Sequence, residues 1–107
     1  MMFQYDDRLG ISIPILIREW TEYRLEEQQL IMHKWETERG TIPDRIQELE
    51  RSINEKQDAL NNEDSFAASC QLNTEISELA SIINDLWLWF RTVPDVNGVD
   101  ARQKIHS

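Results

Sequence analysis

Three features of this chain predict an all-α fold, an antiparallel up-down-up bundle of three long helices. Apolar residues recur at steps of three and four along three separate stretches. Those stretches are divided by short breaker segments, at Gly40–Pro43 and again at Asn61–Ser65. Only 3 Gly and 3 Pro occur in 107 residues, too few for the tight turns of a β-sandwich or barrel. Charged residues at 29% and hydrophobic ones at 40% give a globular balance, and the length suits one domain.

Residues 1–11 hold Phe3, Tyr5 and Leu9 without a clear period and are expected to form an N-terminal arm. Ser12 has the chemistry of an N-cap, and Pro14 falls where a first helical turn tolerates it. The first helix is therefore expected over residues 12–39. Ile13, Leu16, Trp20, Tyr23, Leu30 and Ile31 mark its main face, and Gly40 lies beyond its end. Such a helix would be roughly 40 Å long. Thr41-Ile42-Pro43-Asp44 then restarts helix over residues 42–61, with a heptad seam of Ile42, Ile46, Leu49, Ile53, Lys56 and Leu60. The third helix is expected over 64–92, its stripe formed by Leu72, Ile76, Leu79, Ile83, Leu86 and Phe90. Residues 93–107 read as a tail.

The third helix ends in Leu86-Trp87-Leu88-Trp89-Phe90, apolar on every side, and such an end must be covered by something. With the chain reversing at Gly40 and near Glu63, two apolar overhangs have nothing opposite them. One runs from Leu86 toward Thr92, with Trp35 at the same end, and the other from Ile11 to Leu16. Self-association into a larger helical bundle, most simply a two-fold dimer, would bury both. The alternative is that the arm and tail fold back over them. The same counting places Glu27 near Lys56 as a register-setting pair, or leaves Lys56 to reach solvent.

A formal net charge of −9 disfavours nucleic acid and anionic membranes as partners. No apolar run approaches the ~20 residues of a bilayer span. The opening MMFQYDDRLG lacks the pattern of a signal peptide, so a cytoplasmic location is expected. Cys70 is the sole cysteine, which rules out an internal disulfide, and its place along a helix suggests a small buried hydrophobe. His33 and His106 suggest no triad. Asp95-Val96-Asn97-Gly98-Val99-Asp100 departs from the EF-hand pattern and reads as a turn. The all-α NTP pyrophosphohydrolases hold Mg²⁺ with EExxE and ExxD motifs; here Glu26-Glu27 lacks the third acid, and no ExxD follows Glu75 and Glu78. No enzyme activity, metal or other cofactor is expected, and a metal-dependent hydrolase using Glu75, Glu78 and Asp85 is the remote alternative.

Trp supplies the remaining signal, with 4 in 107 residues in a side chain favoured at binding hot spots. The function expected is a non-enzymatic protein-interaction module, a small adaptor, chaperone-like or regulatory protein. Its partner is another protein or a second copy of itself. Trp35, Leu86, Trp87, Trp89, Phe90, Ile13 and Leu16 are the candidate contact residues. A purely structural homo-oligomer using the same side chains is the alternative.

Overall fold

The computed structural model describes residues 3–92. It is mostly helical, with a small two-stranded sheet at its N-terminal side. Strands β1 (Phe3–Asp6) and β2 (Ile11–Pro14) precede a 3-10 turn at Trp20–Glu22 and helices α1 (Leu25–Arg39), α2 (Ile42–Asn61) and α3 (Phe66–Phe90). The expected turn at Asp95–Asp100, His106 and the tail 93–107 lie outside the described residues.

The largest correction concerns residues 3–24. The arm and the start of the supposed first helix form an antiparallel hairpin, with Phe3 opposite Pro14 and Asp6 opposite Ile11. Ser12 is therefore a strand residue and caps no helix. Its N–H donates to Glu38 Oε1 at 2.9 Å. Pro14 explains part of the change, because a residue before proline is pushed toward extended backbone, which suits Ile13 to a strand. The alternation Ile11, Ile13, Ile15, Ile17 is itself a period of two, with β-branched side chains throughout.

The hairpin turns through Gly10 at φ 77°, with Gly10 N–H donating to Asp6 O at 2.7 Å and Leu9 N–H to Asp6 Oδ1 at 2.9 Å. A side chain at residue 10 would be strained by that φ and would also place its Cβ 2.5 Å from Arg45 Nε. Arg45 is fixed there by donating to Leu9 O at 3.0 Å. Gly10→Ala is expected to destabilise the protein by about 1–2 kcal/mol from the backbone alone. A shift of the urea midpoint would report it; an unchanged midpoint would mean that the turn adopts another conformation.

A second correction concerns Gly40. Gly40 (φ −63°, ψ −19°) and Thr41 (φ −86°, ψ −13°) both keep helical backbone, so the chain bends there instead of reversing. Pro43, which has no N–H, interrupts the ladder and separates α1 from α2. The molecule is 59 Å in its longest dimension. That is close to the roughly 55 Å of a continuous helix over residues 25–61. Consequently α1 does not pack along α2. It rests mainly on β2, while α2 and α3 pair extensively with each other. Glu27 is accordingly far from the role expected of it. Lys56 donates instead to Glu75 Oε1 at 2.7 Å, across the α2–α3 seam. Glu27 accepts from the Arg24 N–H at 3.0 Å, at the start of α1.

The core sits where the hairpin fills the angle between the helices. Leu9 and Ile11 from the hairpin, Trp35 from α1, Ile42, Ile46 and Leu49 from α2, and Leu86 from α3 are all buried. The overhanging end of α3 is thus covered from within the chain, by α1 and the N-terminal hairpin. Polar contacts tie the hairpin down on each side: Arg8 to Asp85 at 2.7 Å, Arg45 to the Leu9 carbonyl, and Ser12 to Glu38.

Candidate protein-interaction surface

The end of α3 is built from two kinds of residue. Leu86 is 0% exposed and closes the core. Trp35 from α1 is 1% exposed, meets Trp89 edge-on at 5.7 Å between ring centroids, and donates from Nε1 to Thr92 O at 2.7 Å. Arg39 adds a cation over the Phe90 ring at 5.4 Å and a 3.4 Å hydrogen bond to its carbonyl. These donors from α1 satisfy backbone carbonyls that the last turn of α3 would otherwise leave without partners. Trp89 and Phe90 are half-buried against the core.

Trp87 and Leu88 point the other way and are 39% and 47% exposed. Trp87 is held by an edge-on contact with Phe90, 5.5 Å between centroids, so it presents a positioned ring. Among the candidate residues near the N-terminal side, Ile13 is half-buried on β2, whereas Leu16 is exposed. Leu16 stands in a run with Ile15 and Ile17, all exposed, where the chain leaves β2. The structure therefore divides the candidates. Trp35 and Leu86 hold the fold together, Trp89, Phe90 and Ile13 frame the core, and Trp87 and Leu16 face outward.

Several outward-facing apolar residues lie outside the candidate set, among them Leu88, Ile17 and Phe66. Phe66 opens α3 and is 84% exposed. A signal for it existed, since it falls off the stripe that faces α2. Cys70, expected to be buried, is also exposed, again because α3 is covered on one side only.

Of the candidate carboxylates, Glu75 and Asp85 have structural partners, whereas Glu78 is exposed. The Glu75 carboxyl is held below its ordinary value first by the Lys56 hydrogen bond and then by Gln71. Asp85 is paired with Arg8. The Glu27 carboxyl is lowered chiefly by the Arg24 backbone N–H. Among the described residues, no three His, Cys, Asp or Glu side chains are grouped to hold a metal ion. No described helix is long and apolar enough to cross a membrane. No protein-family model, curated protein or solved structure matches this chain.

Proposed function

We propose that this chain is a non-enzymatic protein-interaction module, an adaptor or regulatory protein that engages another protein through apolar side chains at the closed end of its helices. The observation that carries this is the pair Trp87 and Leu88, large and exposed on an end that the chain has otherwise covered. Exposed aromatic residues on a rigid helix suit contact with a partner, because little side-chain freedom is lost on binding. Leu16, with Ile15 and Ile17, supplies a second apolar patch. The net charge of −9 favours a partner that is basic or apolar where it touches the chain.

The expected result is that Trp87→Ser leaves the unfolding midpoint nearly unchanged, because the ring is not part of the core, yet abolishes capture of the partner in a pull-down. Retained capture would remove Trp87 from the interface. A second reading, a structural homo-oligomer that completes a larger helical bundle, is favoured by the outer face of α3, where Glu78 is the one exposed charge. Light scattering of the Trp87→Ser variant separates the two. Loss of an oligomer supports the structural reading, and an intact oligomer that no longer captures a partner supports the adaptor.

A further inference from the structure

The solvent side of α2 is ordinary: Asp44, Glu48, Glu50, Arg51, Glu55 and Asp58 are all exposed. On the exposed side of α3, over 25 residues, Glu78 alone carries a charge. Its other acids, Glu75 and Asp85, are half-buried and neutralised by Lys56 and Arg8. A helix face in water normally carries several charges, and one with a single acid in a chain of net charge −9 is unusual.

That face also has a pattern. From Phe66 through Cys70, Asn73, Ser77, Ala80 and Asn84 the spacing alternates four and three, and Trp87 and Leu88 complete it. This is a second heptad seam, about a third of a turn around α3 from the stripe that meets α2, and at Ala80 it borders Glu50, Asn54 and Gln57 of α2. Its middle is small, with a shallow groove beside Asn73, Thr74, Ser77, Glu78 and Ser81, and its two ends are large. Phe66 and Leu88 lie eleven residues either side of Ser77.

The geometry points to a second copy of this chain as the occupant of that face, with two α3 helices antiparallel about a two-fold axis at Ser77. In that arrangement Phe66 of each copy lies against Leu88 and Trp87 of the other, so the exposed large side chains at both ends are covered at once. Small residues between them let the helices approach to the close end of the usual ~8–10 Å interaxial range. The contact is isologous, as a two-fold requires. Elsewhere two acidic copies would repel, whereas Glu78 is the one acid on the exposed side of α3. The order of helices becomes α2, α3, partner α3, partner α2. The strip is roughly 37 Å long and about 10 Å wide, so two copies bury about 740 Å² together, below the size of stable interfaces, and the dimer is weak and dissociates on dilution. The inference rests on the reading that the chain works through apolar contacts, and it names the partner for α3.

Cross-linking tests it, because the register dictates which cysteines meet. With Cys70 replaced by Ser, Ser77→Cys sits on the axis and is expected to form a disulfide dimer under mild oxidation. The native Cys70 residues are displaced by about 21 Å along the paired helices and cannot bridge. Light scattering of the native chain should show a mass rising from 12.7 kDa toward twice that as concentration increases. Ser77→Glu should hold it at the monomer mass with unchanged circular dichroism. A native monomer throughout the range, or Cys70 cross-linking as readily as residue 77, overturns the proposal. Partner capture by the Ser77→Glu monomer is the separate readout of the Trp87 surface, so the two ideas fail independently.

Discussion

Trp35→Ala is expected to destabilise the protein by about 3–5 kcal/mol, the usual range for removing a fully buried indole. The ring touches α3 edge-on through Trp89, and its N–H ends on the Thr92 carbonyl. Truncation therefore opens a cavity between α1 and α3 and removes a tie that holds the end of α3. Trp35→Phe keeps most of the apolar volume and should cost less, with about 0.5–1.5 kcal/mol from the lost hydrogen bond. Urea unfolding followed by circular dichroism checks both, with Ala expected well below Phe. A Trp35→Ala protein within error of the native midpoint would mean that the indole is a surface contact residue. The order of the two substitutions matters more than either size, since it separates packing from hydrogen bonding.

Ile11→Ala is expected to cost about 2–5 kcal/mol, as for other fully buried aliphatic side chains. A loose N-terminal arm would show almost no effect. Ile11 is 2% exposed and belongs to the core cluster with Trp35 and Leu86, so the hairpin is part of the protein's stability. The same substitution should increase binding of a hydrophobic dye, because it loosens the cover over Leu86. A native midpoint with no added dye binding would place the hairpin outside the cooperative unit. Neighbouring core changes will not add simply, so Ile11 and Trp35 are best measured singly first.

Much of the helical part was legible residue by residue. The heptad of α2 from Ile42 to Leu60 and the α3 stripe from Leu72 to Phe90 arise from a local period of 3.6, which backbone geometry imposes wherever one face is buried. The restart at Thr41–Pro43 was legible for the same reason, since proline acts on its own turn. The segment from Ile11 to Ile17 was misread because Ser12 and Pro14 suit both a helix start and a strand. Its Ile alternation and the positive φ available to Gly10 were the signals for a hairpin. On the surface, Trp87 and Leu16, marked along the sequence by their size and setting, are both exposed. Phe66 and the sparsely charged side of α3 lie off the stripe that faces α2, so its apolar period does not mark them.

Sequence alone determined where α2 and α3 run, which of their faces pair, and that the end of α3 needs a cover, because these follow from short-range periodicity and hydrophobicity. Only the tertiary structure decided what the cover is. Whether the chain reverses or bends at Gly40 changes the backbone at two residues by little, yet it moves α1 from the side of α2 to the end of α3. That choice is made by long-range burial: Trp35 gains Leu86 and Trp89 as neighbours, and the hairpin fills the angle left beside them. A local pattern cannot encode it, because the residues that reward the bend lie some fifty positions further along the chain.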